Sequence, residues 1–256
     1  MRHDMNDTNY ITMIDRAFEI LYYISNHQDP VGISQIAKEL DLPKANIFRI
    51  LNTLHKWDIV ERSENDKYIL GKGLIKYGNK AKERMNLISI SSPIVKKLSQ
   101  EIGETVNIGI KYEENVLTVY SEEGESSSLV SKLIPISPLN CSSMGKIFLS
   151  HATEEELLKY FSSNELEKRT INTIIDIKDF LKIKGSIIEE DIAFDHEEYE
   201  YGLSCVASAI KDIDGKIIAA ISVSGPTSRL KFKGMEKIKQ KLMDCAKSIS
   251  ESTKYI

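Results

Sequence analysis

The stretch LPKANIFRILNTL, residues 42–54, decides how this chain is read. Placed on a helix at about 100° per residue, Ile47, Leu51 and Leu54 fall together, with Phe48 and Ile50 flanking them. That is a core side. Ala45, Arg49, Asn52 and Lys56 fall opposite, with Asn46 and Thr53 at one margin. A face of Arg, Asn, Thr and Lys around a small Ala fits closely into a groove. Arg matches guanine O6/N7 and Asn matches adenine N6/N7, because both pairs are bidentate. Taken alone, a polar helix face is most often a solvated face, so its surroundings decide.

Upstream, ITMIDRAFEILYYISNH (11–27) carries Ile11, Ile14, Phe18, Leu21 and Ile24 at helical spacing, and these are expected to face the core. Asp29-Pro30 and Gly32 end that helix. ISQIAKEL (33–40) reads as a short helix with Ser34 as its N-cap and Ile36, Ala37 and Leu40 inside. Asp41-Leu42-Pro43 is a tight connection, and Pro43 opens the next helix, which runs to about Lys56. DIVER and KYIL then form a hairpin around Ser63-Glu64-Asn65-Asp66. Three helices and a hairpin describe a winged helix-turn-helix over residues 1–70, whose helix after the short gap enters the major groove. Ser34, Lys44, Lys56, Arg62 and Lys67 are expected at the DNA backbone, where contacts position the module.

Residues 71–92 read as a helical linker with a thin apolar stripe of Leu74, Tyr77, Ala81 and Met85 that needs a partner, either a second chain or the chain's own domain. Pro93 is expected to start a further amphipathic helix. From Glu104 the period changes. TVNIGIKY, NVLTVYSEE, SCVASAIKD and KIIAAISVSG read as strands; MGKIFLSHA, TEEELLKYF, IKDFLKIKGSIIEED and MEKIKQKLMDCAKSISEST read as helices. Residues 93–256 are therefore expected to be an α/β (α+β) domain, with a mostly antiparallel sheet covered by helices. A length of 256 residues suits two domains.

Charge is divided unevenly. Residues 1–85 carry a net +1 and the remainder −5, which leaves room for a local basic patch near the N-terminus. Cys141, Cys205 and Cys245 are widely spaced and odd in number, so neither a disulfide framework nor a metal site is expected. No run of about 18 apolar residues and no secretory h-region is present, which points to a cytoplasmic protein with no membrane partner. Gly145-Lys146 is not a phosphate loop, because Asn140 and Ile147 stand where Gly and Ser/Thr are required. His196-Glu197 lacks the second His of a metalloprotease, Glu200 occupying that place. A hydrolytic centre of Asp195, His196 and Cys205 is the remaining enzyme reading, and it is rejected in favour of a non-enzymatic, cofactor-free protein.

The ordered series RAFEIL (16–21), ISQIAKELDLPKANIFRILNTL, YILG, GETVNIGI (103–110), PLNCSSMGKIFLS (138–150), DHEEYEYGLSCVASAI (195–210) and IIAAISVSGPTSR (217–229) resembles the IclR family of bacterial transcriptional regulators over nearly the whole chain. The resemblance implies a winged helix-turn-helix, a helical linker and a GAF-like effector domain, in homodimers that pair into tetramers on an operator of double-stranded DNA. It implies an effector site at Ser143 and Met144, where backbone N–H groups meet a ligand carboxylate, with Asp195, Leu203, Cys205, Ser222 and Ser224 lining the rest. Ser222 and Ser224, two apart on a strand, share a face. Cys205 also reads as a small core residue. Met144 replaces a smaller residue common in the family, and Asp195 would stand beside an anion. The expected function is a repressor whose operator affinity changes with a small carboxylate metabolite; an activator with the same parts is the alternative.

Overall fold

A computed structural model describes residues 11–63, 65–83, 86–125, 135–162 and 166–253, the side chains of Lys82 and Glu83 excepted. Its contacts divide into two compact units, Met1–Arg84 and Met85–Ile256.

The first unit contains α1 (Thr12–Ser25), β1 (Val31–Gly32), α2 (Ile33–Leu40), α3 (Lys44–Lys56), β2 (Val60–Arg62), β3 (Lys67–Leu70) and α4 (Gly73–Glu83). The strands form an antiparallel sheet in the order β1-β3-β2. Ile20, Ile24, Val31, Ile36, Ile47, Leu51, Val60 and Tyr68 make one core. Asp41 adopts a left-handed conformation (φ 50°) that turns the chain sharply between α2 and α3.

Three expectations change here. Ser34 is not a cap but the second residue of α2. Gly32 is still paired with Lys67 of β3, so the helix begins at Ile33, and the Gln35 side chain accepts from the Gly32 N–H at 2.8 Å. Pro43 stands just before α3 rather than inside it. In α1 the buried side is Ile20 and Ile24, with Ala17 and Leu21 packed alongside, while Ile11, Ile14 and Phe18 are exposed. The helix is apolar on two sides, and α3 and β3 take only one.

The second unit contains α5 (Asn86–Ile102), β4 (Thr105–Tyr112), β5 (Asn115–Glu122), β6 (Ile136–Pro138), α6 (Ser143–Ser150), α7 (Glu154–Ser162), α8 (Ile177–Glu190), β7 (Ile192–His196), β8 (Leu203–Lys211), β9 (Ile217–Pro226), α9 (Thr227–Lys233) and α10 (Met235–Thr253). Its six strands are antiparallel in the order β6-β5-β4-β9-β8-β7. One sheet face carries Val106, Ile108, Val206, Ile210, Ile221 and Val223 against Leu98 of α5 and Leu242 and Ile249 of α10. The other carries Ala193, Ala207, Ala209 and Ala220 beneath Ile147 and Phe148 of α6 and Phe180 of α8. Small side chains on that face let α6 approach the strands closely.

Pro93 does not start a helix: α5 runs through it. A proline there forfeits one backbone hydrogen bond, and Val95, Leu98 and Ile102 packed on the sheet offset the loss. Strands β6 and β7 and helix α9 were not expected. Glu104, fully buried before β4, accepts from Arg229 Nε (2.5 Å) and Nη2 (2.6 Å) and from Lys233 Nζ (2.7 Å), which pins α9 to the sheet.

Candidate functional site

Two groups of residues stand out, one in each unit. On α3, Ile47, Ile50 and Leu51 are buried, and Lys44, Ala45, Arg49, Asn52, Thr53 and Lys56 are exposed, with Asn46 half-buried. Thr53 Oγ1 donates to the Arg49 carbonyl at 2.9 Å, so its hydroxyl keeps only acceptor capacity for a base. Phe48 differs from expectation. It is 45% exposed and borders the polar face rather than the core. An apolar ring there suits a thymine methyl. In the β2–β3 hairpin Lys67 is exposed, and Arg62 pairs with Asp66 at 2.7 Å. Both partners of that pair are solvated, so displacing Asp66 by a phosphate costs at most about 1 kcal/mol. Ser34 is exposed on α2. Glu64, in the same hairpin, lies outside the described residues.

The second group lies on the α6 side of the larger sheet. Cross-strand register aligns Asp195 with Cys205 and Cys205 with Ser224. Ser222 aligns with Ala207 on one side and Asn107 on the other. Leu203, two residues from Cys205, continues the same face and is buried. Above this floor α6 begins. The Ser142 hydroxyl caps it, accepting from Gly145 N at 3.1 Å and donating to the Pro138 carbonyl at 2.7 Å. Lys146 N donates to the Ser142 carbonyl. Among the described residues the N–H groups of Ser143 and Met144 have no acceptor, and both residues are buried. Two free N–H groups at the positive end of a helix are able to receive an anion. Gly145 allows the tight start: a Cβ there would lie 2.4 Å from the Leu139 backbone.

Met144 lies against the sheet. Its sulfur lies over Gly109 of β4, where an added Cβ would come within 2.9 Å of it. The missing side chain at Gly109 gives the thioether its seat.

Ionisation completes the picture. Asp195 is buried, and its Oδ1 accepts from Glu198 N at 2.7 Å. Burial pushes its carboxyl up to about 7, against the opposing pull of the Lys146 ammonium. A carboxyl raised in this direction conflicts less with a bound carboxylate and, when protonated, can donate. Cys205 keeps part of its surface open, yet the protein packed around the thiol and nearby Asp195 raise it well above the usual range. A thiol held protonated in this way is a weak nucleophile. Neither the Lys146–Glu198 ion pair nor Asn107 was anticipated. Lys146 Nζ bonds Glu198 Oε1 in a fully buried pair, and Glu198 Oε2 is buried without a partner. These residues are far apart in sequence, and only the fold brings them together. Among the described residues no group of His, Cys, Asp and Glu could hold a metal ion, and no helix is long and apolar enough to cross a membrane.

Comparison with known proteins adds the following. Residues 13–64 match the family model described as IclR helix-turn-helix domain, and residues 79–251 match that described as bacterial transcriptional regulator IclR C-terminal. The chain is 32% identical over 241 residues to the HTH-type transcriptional repressor AllR of Salmonella paratyphi A, covering 93% of this chain and 88% of that one. The solved structure of the Thermotoga maritima IclR superposes with a TM-score of 0.72 at 28% identity, covering 95% and 99% of the two chains. An IclR homolog from Microbacterium hydrocarbonoxydans, complexed with 4-hydroxybenzoate, shares the fold (TM-score 0.79, 20% identity, 93% and 98% covered).

Two measurements test the assignments. In DNA binding, Arg49→Ala is expected to lose about 1–3 kcal/mol on the specific site and relax preference at one base pair, whereas Lys56→Ala weakens all sequences and reduces the salt slope. Equal weakening on specific and random DNA by Arg49→Ala would contradict base reading. In the second unit, protonated Asp195 tolerates an anion and ionised Asp195 repels it. Carboxylate affinity should therefore fall as pH rises from 6 to 8, by up to about tenfold per unit. Calorimetric titration should find that dependence in the wild type and a flat profile in Asp195→Asn.

Proposed function

This chain belongs to the IclR family of bacterial transcriptional regulators and acts as a ligand-responsive DNA-binding repressor, and we propose that its ligand is a small carboxylate held at the start of α6. The observation that carries the proposal is the pair of partnerless N–H groups on Ser143 and Met144 beside a floor of small polar residues. A carboxylate satisfies both N–H groups at the positive end of the helix. Ser222 and Ser224 supply adjustable hydroxyls, protonated Asp195 donates, and Leu203 and Cys205 give an apolar wall. The bound 4-hydroxybenzoate of the Microbacterium protein, itself a carboxylate, supports the class. The ligand acts by linkage: it binds one arrangement of the regulator better than another and so changes operator affinity.

The DNA-bound form is a homodimer, paired further into a tetramer, at work in the cytoplasm. Phe18 and Tyr22 of α1 and Ile75 of α4 are each more than 60% exposed, and Tyr77 and Ala81 of α4 are exposed as well. Leu74 is half-buried, so Ile75 rather than Leu74 is the open apolar position; Met85 lies outside the described residues. Apolar side chains on two helices of the first unit need covering, and the same helices of a second chain fit a two-fold interface.

The ligand reading is tested with Ser222→Ala plus Ser224→Ala. This variant should need a higher concentration of the effective acid to change DNA binding, with ligand-free DNA affinity nearly unchanged. Tight binding by neutral or cationic ligands alone would sink the anion site. For assembly, Phe18→Asp with Ile75→Asp should give monomers with weak DNA affinity in sedimentation and gel-shift experiments. An unchanged sedimentation profile would rule out these helices as the interface.

A further inference from the structure

The polar floor does not stop at the serines. It continues across two more strands, to Asn107 on β4 and Ser121 on β5. Register places Asn107 between Ser222 and Ser121, and the side chains are joined. Asn107 Nδ2 donates to Ser224 Oγ at 3.3 Å, and Ser121 Oγ donates to Asn107 Oδ1 at 2.7 Å. Both partners are hydroxyls, which donate or accept, so either orientation of the amide keeps two bonds. Either one leaves Asn107 one N–H and one lone pair unused. Asn107 is half-buried, so that remaining capacity is open on one side.

Its surroundings give that capacity a use. Gly109, two residues along β4 and about 7 Å away, lies under the Met144 sulfur, so Asn107 sits beside the N-terminal turn of α6. The neighbouring positions on this face are Ala207, Ala220 and Gly109, which take up little room. These small residues are covered by Met144, Ile147 and Phe148 of α6, so Asn107 stands at the border of that packed layer, with the half-exposed side of its amide as the part a ligand group can reach.

We propose that Asn107, held by Ser121 and Ser224, is a specificity-determining residue of the effector site, and that it selects acids carrying a second hydrogen-bonding group several ångströms from the carboxylate. The inference rests on the carboxylate reading above. The second group is a hydroxyl, carbonyl or amide, because Asn107 offers both a donor and an acceptor. A site built to pair such a group rejects the analogue that lacks it, since its own polar atoms are then left unpaired.

The test uses the full chain at neutral pH and matched acids: benzoate and 4-hydroxybenzoate, butyrate and 4-hydroxybutyrate, propionate and 3-ureidopropionate. Affinities are read from thermal shift and confirmed by calorimetry. In the wild type at least one substituted acid should bind about tenfold more tightly than its plain partner. Asn107→Leu should erase that preference while the plain acid keeps its affinity. Ser121→Ala, which removes only a hydroxyl, should reduce the preference as well, and it serves if Asn107→Leu fails to fold. Plain and substituted acids binding the wild type alike, or a preference that survives in the variant that folds, overturns the role of Asn107 and leaves the carboxylate site standing. A wild type that binds none of the six acids contradicts the carboxylate site, and the inference falls with it.

Discussion

Helix α6 begins almost on top of the sheet, and the chemistry of the second unit follows from that closeness. Gly145 lets the first turn press on the Leu139 backbone, and Gly109 gives Met144 a place to lie flat over β4. Alanines at 193, 207, 209 and 220 keep the sheet face low beneath the rest of the helix. Two consequences arise together. The N–H groups of Ser143 and Met144 are buried without acceptors, and burying such groups unpaired costs about 1–3 kcal/mol each. The same helix brings Lys146 into the interior, where it needs an anion and finds Glu198. Glu198 N in turn holds Asp195, so helix, loop and floor form one connected polar assembly inside an otherwise apolar layer. The carboxylate proposed for this site would supply what the fold leaves unsatisfied.

The first unit works on a different constraint. There the turn at Asp41 sets α3 against α2 and commits Ile47, Ile50 and Leu51 to the core. Once those three are buried, helical geometry leaves Arg49, Asn52 and Lys56 no place but outside. The outward polar face proposed to read DNA is thus a by-product of core packing. Regulation requires the two units to share a free energy. Coupling of about 1–3 kcal/mol, or 5–150-fold in affinity, suffices for a metabolite to change operator occupancy.

Much of this was legible in the sequence, for physical reasons that differ by element. The outward face of α3 was legible because one side of the helix is apolar and the other is not. Helix α1 misled because Ile14 and Phe18 share a period with Leu21, and periodicity alone does not say which of two apolar sides is buried. Ser222 and Ser224 were legible as a pair because a strand repeats every two residues. Strands β6 and β7 are too short for alternation to register. Pro93 reads as a helix start locally, yet the packing of α5 carries the helix through it. Lys146 and Glu198 are 52 residues apart, and Asn107 and Ser224 117 apart; no spacing rule connects them, and only the seating of α6 by the β7–β8 loop and the β4–β9 register do.

The central claim is that a carboxylate bound at α6 and an operator bound at α3 bias the same equilibrium. Linkage makes that claim reciprocal: whatever factor the acid applies to DNA affinity, DNA must apply to the affinity for the acid. The direct measurement is calorimetric titration of an effective acid into the protein, first free and then saturated with a fragment of its native operator. The account predicts that the two dissociation constants differ by the same factor by which that acid shifts operator affinity. An acid that binds with one and the same constant in the presence and absence of DNA would contradict it.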